Sequence, residues 1–80
     1  MVISFVKNNI LISCYLTDKD DSGVYQVLDK SNIIETKKYV SYDDILRIVR
    51  SCVKSKMKLI SITKTSNDDN AYQNIKEVIQ

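Results

Sequence analysis

The chain has 80 residues, 44% of them apolar and 28% charged, with a single glycine and no histidine, proline or tryptophan. This length predicts one domain over residues 1–80, too small to enclose a deep substrate cleft. Without histidine there is no Ser-His or Cys-His nucleophile pair, and one glycine excludes a Walker loop or a GxGxxG phosphate cradle. Apolar runs reach only about three residues, and no cationic segment precedes an apolar stretch. We therefore expect no membrane partner, no secretory signal and a cytoplasmic location.

The first half of the chain predicts an antiparallel meander of four strands. Val2–Lys7 and Ile10–Thr17 are rich in β-branched and aromatic residues, and Asn8-Asn9 between them suits a two-residue hairpin turn. Two further strands are expected at Val24–Asp29 and Ile33–Val40. Short polar turns join all four, which favours antiparallel neighbours.

The second half predicts a helix, a strand and a second helix. Ser41 is a good N-cap, and Asp43-Asp44 places carboxylates in the first turn, where the helix dipole favours anions. Apolar residues then recur at three- and four-residue spacing, followed by a strand at Leu59–Lys64 and a short amphipathic helix near the C-terminus. The predicted fold is α+β, in the order ββββαβα, with two helices packed on one face of the sheet. The predicted core comprises Ile3, Phe5, Ile10, Ile12, Cys14, Leu16, Val27, Ile45, Leu46, Val49, Cys52, Val53, Ile60, Ile62, Ile75 and Ile79.

One loop has the spacing of a cation site. Asp18, Asp20, Ser22 and Asp29 occupy ligand positions 1, 3, 5 and 12 of an EF-hand calcium loop, and Gly23 occupies position 6. An EF-hand requires a helix on each side, whereas both flanks here predict strands. A polar hairpin loop is the interpretation we prefer, and a Ca²⁺ or Mg²⁺ site is the alternative. No other cofactor is indicated.

Positive charge is concentrated although the net charge is only +2. Residues 47–64 contain six of the twelve cations and no acid, and Arg47, Arg50, Lys54 and Lys58 recur at helical spacing. Such a face is most often simply solvated. It could also contact the phosphates of a nucleic acid, the carboxylates of an acidic protein or a small anion.

Tyrosine supplies five of the six aromatic residues. Because tyrosine is enriched at interfaces, Tyr15, Tyr25 and Tyr39 predict a contact patch on the sheet face away from the helices. The alternative is that their rings lie at the margin of the core with the hydroxyl groups in water. The edge strands, lacking proline and obvious bulges, could pair with a second copy to form a homodimer.

The two cysteines, Cys14 and Cys52, do not form a disulfide scaffold, and we interpret them as reduced, buried side chains, with a redox role as the alternative. Paired acids such as Asp43-Asp44 are better explained by caps and turns than by catalysis. The sequence therefore favours a non-enzymatic, inhibitory or accessory module of phage or virus type that binds a protein partner. A regulator that binds nucleic acid through the Arg47–Lys58 face is the alternative.

Overall fold

The computed structural model describes residues 1–16, 22–64 and 69–80, and it confirms the predicted order of elements. The elements are β1 (Val2–Lys7), β2 (Ile10–Tyr15), β3 (Gly23–Asp29), β4 (Asn32–Val40), α1 (Tyr42–Lys54), β5 (Lys58–Thr63) and α2 (Asp69–Ile79). The predicted cap is also confirmed, because the Ser41 hydroxyl accepts a hydrogen bond from the backbone N–H of Asp44 at 3.1 Å.

The five strands form one antiparallel sheet in the order β4-β3-β2-β1-β5. The meander places β4 at one edge of the sheet. Helix α1 then carries the chain across to the opposite edge, where β5 pairs with β1. Since both helices pack on the same face, as predicted, the fold has two layers.

The core lies between that face and the two helices. Ile3 and Phe5 of β1 point toward Ile45 and Val49 of α1, and each of the four is at most 1% exposed. Ile75 of α2 completes the cluster. Lys7, on the same face of β1, donates a 2.9 Å hydrogen bond from its Nζ to the carbonyl of Ser55, the residue that caps the C-terminus of α1. A cation at this position complements the helix dipole.

Both edges of the sheet carry bulges that the sequence pattern did not reveal. On β4 the register with β3 shifts twice, which leaves Ile34 and Tyr39 as extra residues. On β5 it shifts once, which leaves Ile60 extra, so that Leu59 and Ile62 both face the core. The prediction of Ile60 as a core residue is therefore wrong, since its side chain is 50% exposed. The expectation of edge strands without bulges is also wrong, since both β4 and β5 contain them. Bulges are a common protection against edge-to-edge pairing.

The two tight hairpin turns differ in how well their residues suit them. Asn8 has φ 56°, a conformation that asparagine tolerates, and Asn8-Asn9 forms the predicted two-residue turn. Between β3 and β4 the turn is Lys30-Ser31, with φ 51° and 70°. Neither lysine nor serine favours this left-handed region, which is required at both central positions of a type I′ turn.

Replacing Ser31 with glycine should therefore stabilise the protein. The free energy recovered by relieving the left-handed strain exceeds the entropic cost of the extra freedom that glycine gives the unfolded chain. We therefore expect the free energy of unfolding to rise by about 0.5–1 kcal/mol. The midpoint of thermal unfolding followed by circular dichroism should rise by roughly 2–8 °C. Asn8→Gly is the matched control and should raise it less, and equal effects at both turns would contradict this explanation.

Candidate partner-binding groove

A surface groove of about 610 Å³ separates the end of β4 from the first two turns of α1. Its volume falls within the range of ordinary ligand pockets. The residues lining it are Tyr25, Lys37, Lys38, Tyr39, Val40, Ser41, Asp44, Arg47 and Ile48. Three cations and two tyrosines thus surround one opening, which we call the basic groove.

On the sheet side of the basic groove, Tyr25 is held in place by its neighbour on β4. The Tyr25 hydroxyl donates a 2.6 Å hydrogen bond to Oε1 of Glu35. This hydrogen bond, followed by burial and the negative charge of Glu35, raises the pKa of Tyr25 above its usual value. The ammonium of Lys37 lies 3.8 Å from the same Glu35 oxygen and 5.9 Å from the centre of the Tyr25 ring.

On the helix side, Arg47 projects from α1 beside the cap. Its Nη1 donates a 3.0 Å hydrogen bond to Oδ1 of Asp44, one helical turn earlier. The Arg47 side chain is 74% exposed, and that of Asp44 is 53% exposed. Exposed ion pairs of this kind contribute only about 0–1 kcal/mol, since water screens them. An incoming carboxylate can therefore replace Asp44 as the partner of Arg47 at little cost.

Tyr39 forms the outer wall of the basic groove. It is the extra residue of a bulge and has φ 59°, which is unusual for an aromatic residue. Its side chain is 80% exposed, the most exposed of the large hydrophobic side chains in the described part of the chain. Strained backbone conformations cluster at functional sites, and an exposed aromatic ring offers contact area to a partner.

The structure brings three of the predicted contact residues together and separates the others. Tyr25, Tyr39 and Arg47 line the basic groove. The predicted patch of three tyrosines on the face away from the helices is wrong: Tyr25 pairs with Cys14 and therefore points to the helix side. Tyr15, which pairs with Val2, does lie on the open face and is 42% exposed.

The predicted cationic face of the helix is shorter than expected. Arg50 and Lys54 are exposed on α1, but the helix ends at Lys54, with Ser55 as its C-cap. Lys58 is instead the first residue of β5, where it pairs with Val6 and points to the opposite side of the sheet. The four cations therefore do not form one stripe. Helical spacing alone could not show this, because residues 55–58 carry no proline or glycine to mark the end of the helix.

The predicted cation loop is not assembled by its described members. Asp18 and Asp20 lie outside the described residues. Ser22 directly precedes β3 and Asp29 is its last residue, so that a seven-residue strand separates them by roughly 20 Å. Ligands of a single cation must converge within a few ångströms, and Asp29 therefore cannot complete a site that includes Ser22. Within residues 1–16, 22–64 and 69–80, no three His, Cys, Asp or Glu side chains are arranged to hold a metal ion.

Lys37 and Lys38 are groove residues that the sequence pattern does not single out. Their positions indicate only exposed charges on a strand, and nothing in the local pattern predicts that β4 bulges next to the helix N-terminus. The signal that could have identified them is the short connection from Val40 through Ser41 into α1. Such a connection keeps the end of β4 beside the first turn of α1.

Comparison of this chain with protein families, with curated proteins and with solved structures gave no match. In the described part of the chain, neither helix combines the length and apolar character needed to cross a membrane. Any functional interpretation therefore depends on the geometry of the sites themselves.

Proposed function

We propose that the protein is a non-enzymatic interaction module that binds an acidic segment of a partner protein in the basic groove. The observation that carries this proposal is that Lys37 and Arg47 lie with Tyr25 and Tyr39 around one 610 Å³ opening, with Lys38 at its margin. Arginine and tyrosine are the residue types most enriched where proteins bind one another. The inhibitory role and the phage or virus type stay predictions from the sequence.

Electrostatics supports an acidic partner rather than a basic one. The lining residues include three cations and one acid, Asp44, and that acid is already paired with Arg47. Glu35, at the rim, is likewise engaged by Tyr25 and Lys37. A partner carboxylate can form a bidentate pair with the Arg47 guanidinium, whose planar fork matches its two oxygens. The tyrosines add apolar contact area at low entropic cost.

Selection from a displayed library of random peptides tests the proposal, because such a library offers acidic, basic and neutral segments alike. The recovered peptides should be enriched in Asp and Glu. Their affinity, measured by fluorescence anisotropy, should fall about tenfold or more in an Arg47→Glu variant, because one lost charge-assisted contact corresponds to at least about 1.4 kcal/mol. Lys54→Glu is the matched control, since it reverses the same charge on the same helix outside the groove, and it should bind as the wild type does.

Three results would contradict the proposal. The first is recovery of no acidic peptides. The second is retention of binding in Arg47→Glu, and the third is an equal loss in Lys54→Glu, which would indicate general attraction to a positive surface.

The alternative function is tested with a labelled DNA oligonucleotide titrated over a salt series. Tight binding that weakens steeply with salt and is lost in an Arg50→Glu/Lys54→Glu variant would favour a nucleic-acid regulator instead.

A further inference from the structure

The sheet face opposite the helices, which we call the open face, carries no charged residue on its three central strands. The strand register fixes which side chains point there, because paired residues share a face. From β1, β2 and β3 these are Val2, Ser4, Val6, Leu11, Ser13, Tyr15, Val24, Gln26 and Leu28. Six of the nine are apolar or aromatic, whereas a sheet face in contact with water normally carries polar side chains.

Apolar side chains on the open face form two rows that run across the strands. One row joins Val2, Tyr15 and Val24, and Val2 and Tyr15 are 38% and 42% exposed. The other row runs from Val6 through Leu11 and Leu28 to Ile33 on β4. Between these rows lies a polar one, in which the hydroxyls of Ser4 and Ser13 hydrogen-bond to each other at 3.0 Å. These two hydroxyls are thus already partnered and add little desolvation cost when the face is covered.

We propose that the open face packs against the same face of a second copy of this chain, forming a two-fold symmetric dimer of stacked sheets. Stacked sheets lie about 10 Å apart with their side chains interdigitated, and alternating apolar and hydroxyl rows suit such packing. The bulged edge strands favour this arrangement over pairing of β4 or β5 edges between copies. This surface shares one residue with the basic groove, Lys38, which lies at its margin.

The charges at the margin of the open face favour a second copy as the occupant. Lys38 on β4 pairs with Val24, and Lys58 on β5 pairs with Val6, so the two lysines lie at diagonal corners of the face. A two-fold axis along the strands places each lysine opposite an uncharged corner of the other copy, at Thr63 or Ile33. The same holds for an axis across the strands. In both arrangements self-association brings no like charges together. The described residues of the open face also include no acid that a basic partner could recognise.

The size of the open face also fits a stable dimer. Five strands about 4.8 Å apart and six residues long span roughly 24 by 20 Å, or about 500 Å² in projection. Because side chains make the accessible surface larger than its projection, the buried area approaches the roughly 600–1,000 Å² per partner of standard interfaces. The lack of charge on the central strands matches the charge-depleted centres of such interfaces.

Multi-angle light scattering and sedimentation equilibrium at micromolar concentrations give the first test. The wild type should have twice the mass of the 9.2 kDa chain. Tyr15→Lys places a charge on the open face at a position that is already exposed, so it should fold normally by circular dichroism and weaken dimerisation at least tenfold. Arg50→Glu, on the helix side, is the matched control and should remain dimeric. A wild type that stays monomeric, or a Tyr15→Lys variant that stays fully dimeric, overturns the proposal.

Crosslinking distinguishes face packing from edge pairing. Ser13 lies at the centre of the open face, so a Ser13→Cys variant should form a disulfide between copies in the stacked dimer. Thr36 is the middle residue of β4 and lies in the same row as Ser13, so a Thr36→Cys variant should form one if two β4 edges pair antiparallel, and in a stacked dimer only if the two-fold axis runs across the strands. The native thiols of Cys14 and Cys52 are buried and should not interfere. Crosslinking at residue 36 but not at residue 13 would refute stacking. Because the peptide-binding test uses Arg47, either proposal can fail independently of the other.

Discussion

Replacing Gly23 with alanine should lower the free energy of unfolding by about 2–3 kcal/mol, a loss typical of overpacked cores. A β-carbon at this position would lie 2.8 Å from Cγ1 of Ile45 and 2.8 Å from the backbone carbonyl oxygen of Val40. Both contacts are too short, and the second involves backbone that cannot move without disturbing the strand pairing beside the basic groove. Thermal denaturation should show the midpoint falling by roughly 10–20 °C. Gln26→Ala, in the middle of the same strand, is the control and should shift it far less.

A double-mutant cycle identifies the cause of this loss. Ile45→Ala alone should cost about 2–5 kcal/mol through the cavity it leaves. In the Gly23→Ala/Ile45→Ala variant the total should be smaller than the sum of the two, because the new methyl group enters that cavity. The rescue should be incomplete, since the contact with the Val40 carbonyl remains. Additive losses, or a Gly23→Ala variant as stable as the wild type, would show that the close contacts do not govern this position.

Gly23 also shows what the sequence could and could not predict. As the only glycine it indicates the turn residue of a loop, yet it begins β3, and no positive φ requires glycine there. Its role is to let α1 approach the sheet closely, and that depends on the packing of two elements distant in sequence. Predictions from local sequence patterns were correct where the structure depends on interactions between residues close in sequence. The limits of β1 and the Ser41 cap are as predicted, because alternation and capping act over a few residues.

The candidate site was less predictable because it depends on bulges. A strand side chain can be assigned to a face by counting in twos only while the register is regular. The extra residue Tyr39 ends that regularity beside the groove, and the extra residue Ile60 brings Leu59 to the core side. The sequence therefore predicted the residue types of the site, tyrosine and arginine, but not their neighbours Lys37 and Lys38. The open face was similarly obscured, since its apolar residues are spread over four strands and each strand contributes only one or two.

The stability of the protein should decline in alkaline solution through Cys14. Burial, and to a smaller extent the nearby Cys52, raises the pKa of the Cys14 thiol from 9.0 to about 12. In the unfolded chain the thiol releases its proton from about pH 9, whereas in the folded protein it retains the proton until about pH 12. The unfolded state alone is therefore stabilised in this window. The contribution of Cys14 to stability is complete below pH 9 and lost as the pH rises, by about 2 kcal/mol between pH 8 and pH 10.5.

Comparison of the wild type with a Cys14→Val variant separates this effect from the titration of other groups. Valine is similar in size and carries no titratable proton, and every other titratable group is retained in the variant. Urea denaturation between about pH 8 and pH 10.5 should give a steeper loss for the wild type, with the difference approaching about 2 kcal/mol. Slow reaction of both native thiols with a thiol reagent should accompany it, because the thiolate is the reactive form and the pKa of Cys52 is raised as well. Parallel losses in the two proteins would show that Cys14 ionises as readily in the folded chain as in the unfolded one, and hence that the sheet does not shield it from water.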